Sequence, residues 1–219
     1  MKPFRILVLS SAALLLFQTS EAHTTVTELE NLSRTETAWL YLGLGFRHIL
    51  PWGLDHILFV LSLFLLSPNL KVVIRQSLAF TVAHSITLGL ALYGFVQAPP
   101  AIVEPLITLS IAVVAIENIW SGKLRASRMA VVFLFGLVHG LGFASSLSSM
   151  GLPQQSFLSS LLAFNVGVEL GQLAVLLTAF LLVGKWFGQR AGYRKFFVIP
   201  ASALIALVAV GWTVARLIG

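Results

Sequence analysis

The amino-acid sequence predicts an all-α membrane protein, a polytopic bundle of about six transmembrane helices. The 219 residues are 58% hydrophobic and only 10% charged, with a mean hydropathy of +0.94. That is more apolar surface than a soluble core of this size can use. Long apolar runs recur along the chain, and most basic residues lie in the short segments between them. The pattern indicates that lipid surrounds the helices.

The first 22 residues have the pattern of a signal peptide. Two basic residues precede an apolar run from Ile6 to Phe17, and Ala22 offers a small residue where a signal peptidase would cut. An uncleaved first helix is the alternative, although the run is short for a full span. Residues 23–37 are polar and acidic, so we expect an extracytoplasmic N-terminal segment. The transmembrane domain then covers residues 38–219.

Five interruptions divide the remaining chain into six apolar stretches, each long enough to cross a bilayer. They cover residues 38–66, 72–94, 101–120, 129–149, 157–184 and 196–217. Lys and Arg occur in the first, third and fifth connections, whereas the second and fourth contain none. The third connection is assigned Lys123, Arg125 and Arg128. Because cytoplasmic loops are enriched in these residues, we predict a multi-pass protein of the cell (inner) membrane. Its mature N-terminus and C-terminus lie on the extracytoplasmic side.

Charge and cysteine content exclude several classes of function. The formal net charge is +6, but the basic residues are not gathered on one solvated face, so we expect no nucleic-acid partner. The chain has no cysteine, which excludes disulfides, iron–sulfur clusters and thiolate metal sites. Any metal must therefore be held by nitrogen and oxygen.

Five ionisable residues share one depth near the middle of the predicted spans. They are Asp55, His56, His84, His139 and Glu169. Ionisable groups at the bilayer centre cost about 2.5–3.5 kcal/mol each on insertion scales, so isolated placement of all five is costly. A shared site explains their common depth. For any one histidine, an interhelical hydrogen bond is the alternative.

The first span holds the most informative pattern. His48 and Asp55 are seven residues apart, which places them on nearly the same helical face, and His56 follows on the neighbouring face. Pro51 and Gly53 lie between them, so we expect the helix to kink or unwind here and free carbonyl groups. A simple proline kink with a capping aspartate is the alternative.

Further polar residues lie at helical spacing from the predicted site residues, on the same helical faces. Ser77 and Thr81 share a stripe with His84, and the fifth span carries a second stripe. The predicted pathway or supporting residues are Glu117, Asn165, Gln172, Thr81 and Ser85. Glu117 lies near the predicted cytoplasmic end, where it would mark an inner exit for an ion.

Imidazole and carboxylate groups without sulfur suit nickel, cobalt, zinc, iron or manganese, and argue against copper(I). The ligand type alone leaves these metals open.

Four sequence runs resemble the HupE/UreJ family of hydrogenase and urease accessory membrane proteins. They are GFRHILPWGLDHILF at 45–59, FTVAHS at 80–85, FGLVHGLGF at 135–143 and FNVGVELGQ at 164–172. The chain is more similar to the second, less characterised branch than to the nickel permeases, which use a shorter His-x4-Asp-His spacing. The resemblance implies nickel or cobalt uptake. It also implies metal-binding roles for His48, Asp55, His56, His84, His139 and Glu169.

Two functions follow from a site of this kind. The first is a membrane permease for a divalent transition metal, whose partners are the ion and the lipid bilayer. The alternative is an intramembrane metalloenzyme, a zinc hydrolase or a di-iron type, that uses the same ligands and leaves one position open. A transporter is favoured over an enzyme because of the resemblance. A metal sensor or assembly factor ranks last, and a homo-oligomer is left open.

Overall fold

A computed structural model of the chain describes residues 32–149 and 156–218. The predicted signal peptide, 1–22, lies outside the described residues, as do positions 23–31 of the predicted N-terminal segment. Within the described ranges, every regular element is helical, so the all-α prediction is confirmed.

In the described part of the chain, six long helices and two shorter ones make up the bundle. They are α1 (Arg34–Ile49), α2 (Leu54–Leu66), α3 (Leu70–Leu92), α4 (Pro100–Trp120), α5 (Ser127–Ser149), α6 (Phe157–Ala179), α7 (Lys185–Phe187) and α8 (Ile199–Ile218). A π-helical turn at Phe180–Gly184 joins α6 to α7, and another at Arg194–Val198 leads into α8. Buried apolar side chains of the long helices pack into one core.

Four of these helices are long and apolar enough to cross a membrane: α4, α5, α6 with its extension to Phe187, and α8 with its π-helical lead. The bent pair α1 and α2 makes a fifth if it counts as one span. α3 has 23 residues, but Lys71, Arg75 and its polar stripe reduce its hydropathy. Six crossings therefore remain a prediction, while a membrane-spanning helical protein is supported.

α1 begins four residues before the predicted boundary at residue 38. Ser33 caps it: the Ser33 side chain accepts a hydrogen bond from the Glu36 amide, and the Glu36 carboxylate accepts one from the Ser33 amide at 2.9 Å. This reciprocal pair satisfies two backbone donors that a helix start leaves free. The Ser-x-x-Glu pattern at residues 33–36 is a signal for a helix start, but a boundary placed by hydropathy does not take it into account.

The first predicted span is broken, as expected from Pro51. α1 ends at Ile49 and α2 begins at Leu54, and the two helix axes differ by 68°. Gly53 lies so close to the preceding chain that a Cβ there would overlap the His48 carbonyl oxygen. The turn therefore requires a residue without a side chain.

Two helix pairs run in the same direction at close range. Gly45 of α1 packs against Phe164 of α6, and Gly171 of α6 packs against Ile49 of α1. In the same way, Gly136 of α5 packs against Phe80 of α3. Small residues allow such close backbone approach between membrane helices.

Other neighbours are antiparallel. Ser77 of α3 meets Gln172 of α6, and Thr81, one turn later, meets Glu169, one turn earlier. α4 runs opposite to α5 and to α8, because Glu117 lies at the level of Arg128 and the Thr108 hydroxyl accepts from that of Thr213. The helix directions therefore alternate along the chain.

Candidate metal centre

The break between α1 and α2 brings three predicted site residues together. His48 lies in the last turn of α1, and Asp55 and His56 lie in the first turn of α2. The ring centroids of His48 and His56 are 4.7 Å apart. The sequence places His48 and Asp55 on nearly one helical face and predicts a kink or unwinding between them. In the structure the turn, rather than a helical repeat, brings the two imidazoles together.

Four imidazoles from four helices meet at this level. The His56 ring lies 5.0 Å from His139 of α5 and 5.9 Å from His84 of α3, and His48 lies 6.3 Å from His84, all between centroids. His84 is completely buried, and His56 and His139 are nearly so. The sequence prediction that these histidines form one cluster agrees with this geometry.

Phenylalanine rings surround the imidazoles. Phe143 lies 3.9 Å from His48, and Phe80 lies 4.9 Å from His139, between ring centroids. Phe59 and Phe164 contact the cluster at 5.5 Å and 5.8 Å. This shell is apolar, so it offers the ring nitrogens no conventional hydrogen-bond partner and strengthens any electrostatic interaction inside it.

Two of the histidines use one ring nitrogen in a hydrogen bond. His56 Nδ1 lies 3.1 Å from Asp55 Oδ1, and His139 Nε2 lies 3.0 Å from Ser110 Oγ. A histidine that binds a metal usually donates its other ring N–H to a carboxylate or another oxygen. Asp55 and Ser110 therefore hold these two rings, while His56 Nε2 and His139 Nδ1 have no hydrogen-bond partner among the described residues.

Five of the six other ring nitrogens are buried without a partner among the described residues. They are His48 Nε2, His56 Nε2, both nitrogens of His84, and His139 Nδ1. Leaving a buried polar atom unsatisfied costs about 1–3 kcal/mol. A bound divalent cation would satisfy such atoms, and imidazole suits nickel, cobalt, zinc and iron. The donor set therefore fits a transition metal.

The rings are not yet arranged as a metal site. Among the residues that the structure describes, no three His, Asp or Glu side chains are placed so that they could hold one ion together. The cluster therefore needs side-chain rotation before its nitrogens could share a metal, and the ligand assignment stays a prediction.

Glu169 lies in a different polar group, between α3 and α6. Its carboxylate accepts hydrogen bonds from Thr81 Oγ1 at 2.6 Å and Ser77 Oγ at 3.2 Å. Gln172 Oε1 accepts from Ser77 Oγ at 2.6 Å. Thr81 lies one helical turn before His84 on α3, so this polar group adjoins the imidazole cluster. The predicted stripes on α3 and α6 do face each other.

Two predicted pathway residues make bonds within their own helices. Ser85 Oγ donates to Thr81 O at 2.6 Å, and Asn165 Nδ2 donates to Leu161 O at 2.8 Å. The Asn165 Oδ1 atom is buried without a partner in the described part of the chain.

Glu117 forms an ion pair that the sequence analysis missed. Arg128 Nη1 donates to Glu117 Oε2 at 2.7 Å, and Arg128 is only 1% exposed. Arg128 also donates to Ser62 O at 3.2 Å and Gln76 Oε1 at 3.4 Å. The sequence analysis assigns Arg128 to a cytoplasmic loop, whereas it lies in the first turn of α5 and is buried in the bundle. The signal was Glu117 itself, because a carboxylate inside a membrane helix requires a partner.

The HupE / UreJ protein family model matches residues 22–216 of this chain. The chain belongs to the HupE/UreJ family. This family is associated with nickel/cobalt accessory membrane proteins. Comparisons with curated proteins and with solved structures found no match. The family match covers all four imidazoles and the helix break between α1 and α2.

Proposed function

We propose that this HupE/UreJ protein is a permease that carries a divalent transition metal, nickel or cobalt, across the cell membrane. The observation that carries the proposal is the group of four imidazoles, contributed by four helices around a broken helix. Broken helices next to buried polar groups are the usual construction of substrate sites in secondary transporters. The association of the family with nickel and cobalt supports the choice of metal.

In the proposed route, the ion loses water to His48, His56, His84 and His139, with Asp55 beside it. The hydroxyl and carboxylate group around Glu169 then receives the ion on the far side of Thr81. Hard oxygen ligands hold such an ion more weakly than imidazoles do, which favours release. Glu117 is paired with Arg128, so an exit at that level requires the pair to separate.

Six crossings are part of this proposal, with both mature termini outside. α1 and α6 run in the same direction. α3 and α5 both run in the opposite direction to α6. Because α4 is antiparallel to α5, α1 and α4 run in the same direction. The chain between them must therefore return through α3, which supports α3 as a span despite its polar stripe.

The first experiment combines metal content with uptake. The full-length protein, His84→Ala and Asp55→Ala would be purified, assayed for bound nickel and cobalt by mass spectrometry, and reconstituted into liposomes. We expect the wild type to bind and transport the metal, and both variants to lose at least nine-tenths of uptake. Thr178→Ala is the control, because the exposed Thr178 side chain donates to the Ala174 carbonyl oxygen of its own helix and belongs to no predicted site.

Uptake that persists in both variants would contradict the proposed site. Stoichiometric metal that stays bound to the wild type without any uptake would contradict the permease and favour the metalloenzyme. Size-exclusion profiles of all variants separate loss of the site from loss of folding.

Glu169→Gln tests the order of events along the route. The Gln side chain keeps the shape and can still bond Ser77 and Thr81. If Glu169 receives the ion after the imidazoles, we expect uptake to fall about tenfold while equilibrium nickel content changes less than twofold. An equal loss of both would instead make Glu169 a ligand of the first site.

A further inference from the structure

A cavity of about 330 Å³ opens beside the helix break. Its lining comes from the break and from the end of α8: Trp52, Leu54, Asp55, Trp212, Ala215 and Arg216. Loop charges predict that this end of the bundle is extracytoplasmic. Asp55 lines the cavity and also bonds the His56 ring, so the cavity is one side chain away from the imidazole cluster.

The charges of the cavity wall do not suit a bare cation. The lining contains one carboxylate, Asp55, and one guanidinium, Arg216, and their formal charges cancel. A cleft attracts an ion from solution when its wall carries a net charge of the opposite sign, which this wall lacks. A substrate that carries both a metal cation and an anionic group is attracted by both residues.

Arg216 is placed to hold an anion. Its Nη1 donates to the Glu104 carbonyl oxygen at 3.0 Å, which ties the side chain to the start of α4. A guanidinium has five N–H donors, and that carbonyl uses one of them. The fork geometry of the others matches a carboxylate, which arginine binds through two parallel hydrogen bonds.

The size and the aromatic residues of the cavity favour an organic ligand. Six waters around an ion occupy roughly 180 Å³ at about 30 Å³ each, so the cavity exceeds a hydrated cation. Its volume lies within the range of small-molecule sites, about 300–1,000 Å³. Trp52, which is 75% exposed, and Trp212 add flat apolar surfaces that an organic backbone can cover.

We propose that this cavity binds the metal substrate as a carboxylate chelate, with Arg216 on the ligand's carboxylate and the metal next to Asp55. The inference rests on the proposed permease function and names the form in which its substrate arrives. Transfer is a ligand exchange without redox change: metal–oxygen bonds to the chelator break, and metal–nitrogen bonds to the imidazoles form. The chelator then leaves to the side from which it came.

A second cavity at the same end serves as an internal comparison. It has about 300 Å³, and its lining includes Ala98, Glu104 and Gly142 between α3, α4 and α5. Its lining contains a carboxylate but neither a basic residue nor Asp55. It therefore has no direct path to the imidazoles through Asp55.

Calorimetric binding of nickel citrate and of aqueous nickel ion to the full-length protein in detergent tests the proposal. We expect the wild type to bind nickel citrate more tightly than the aqua ion, and Arg216→Gln to lower the ratio of the two affinities about tenfold. Arg34→Gln removes the same charge at the start of α1, away from the cavity lining, and should change the ratio less than twofold. An unchanged ratio in Arg216→Gln would overturn the proposal.

The native absence of cysteine allows a test of access. Ala215→Cys and Ala98→Cys place one thiol in each cavity for a membrane-impermeant thiosulfonate reagent. We expect labelling at position 215 to abolish nickel citrate binding and uptake, and labelling at 98 to leave both within twofold. The reverse result would show that the substrate enters through the second cavity and would overturn the proposal.

These measurements separate the two proposals. If liposomes take up nickel in neither form, the permease function fails, while the affinity ratio still decides whether the cavity holds a chelate. If the aqua ion enters at least as fast as nickel citrate, the permease stands and the chelate site fails.

Discussion

The imidazole cluster and the Arg128 cluster are both buried between α2, α3 and α5, and they differ in how their polar atoms are satisfied. Arg128 donates to the Glu117 carboxylate, the Ser62 carbonyl and the Gln76 amide oxygen. Five imidazole nitrogens have no partner among the described residues. A satisfied network stabilises the fold, whereas unsatisfied buried atoms are costly and are usually retained for a ligand. This difference assigns a structural role to the Arg128 cluster and is consistent with the metal site proposed for the imidazole cluster.

The largest expected effect is on the Arg128 cluster. Arg128→Met removes the cation and leaves the Glu117 carboxylate largely without its partner. We expect the free energy of unfolding to fall by about 3 kcal/mol, the lower end of the range for broken buried ion pairs, because Glu117 remains 22% exposed. Unfolding in detergent measures this. Arg125→Met in the preceding loop is the control and should change stability by less than about 0.5 kcal/mol.

If this cluster is structural, nickel bound per folded molecule should be the same in Arg128→Met as in the wild type. A selective loss of nickel with unchanged stability would reverse the assignment of the two clusters.

A second prediction concerns the carboxylate that orients His56. Asp55→Asn keeps the side-chain shape but removes the charge, and we expect nickel affinity to fall about 10- to 100-fold, the usual cost of losing such a partner. Titration of metal-free protein measures the change. A loss as large as that of His84→Ala would indicate that Asp55 binds the metal directly.

The helix break provides a third test. Gly53→Ala places a Cβ against the His48 carbonyl oxygen and the Ile49 Cα, so the turn must shift and change the relative placement of His48 and His56. We expect about 1–3 kcal/mol of destabilisation, as for overpacked sites, together with weaker nickel binding. Circular dichroism melting and metal titration measure both.

Gly43→Ala is the matched control in α1, because no atom lies within 4 Å of a Cβ there. Removing a glycine from a helix interior stabilises by about 0.5–1 kcal/mol, so the two substitutions should change stability in opposite directions. A stabilised Gly53→Ala with normal nickel affinity would show that the turn does not set the site.

The smallest expected effect has the opposite sign to that of Arg128→Met. His84→Leu removes two buried nitrogens that lack partners, and we expect the metal-free protein to gain about 1 kcal/mol of stability. The same variant should no longer be stabilised by added nickel. Thermal melting with and without the metal measures both quantities, and destabilisation of the metal-free form would mean that the imidazole of His84 has a structural role.

Much of the site followed from residue type and depth. His56, His84 and His139 were predicted to share a site because isolated ionisable residues are costly in a membrane, and His48 was added through its spacing from Asp55. The structure gathers the four rings. Glu169 has the same predicted depth in the membrane, but its carboxylate bonds the hydroxyl groups of Ser77 and Thr81 on α3 and lies outside the imidazole cluster. The position of a residue within a span predicts its depth in the membrane, but it does not predict which side chains of other helices lie beside it.

The all-helical class, the membrane environment and the break at Pro51 could be predicted from the amino-acid sequence, because they depend on composition and on local backbone chemistry. The pairing of Arg128 with Glu117, and the placement of Arg216 and Asp55 in the lining of one cavity, follow only from the packing of the helices. Such pairs join residues from different helices. Their meeting depends on how the helices rotate and pack, which glycine contacts fix and hydropathy does not encode.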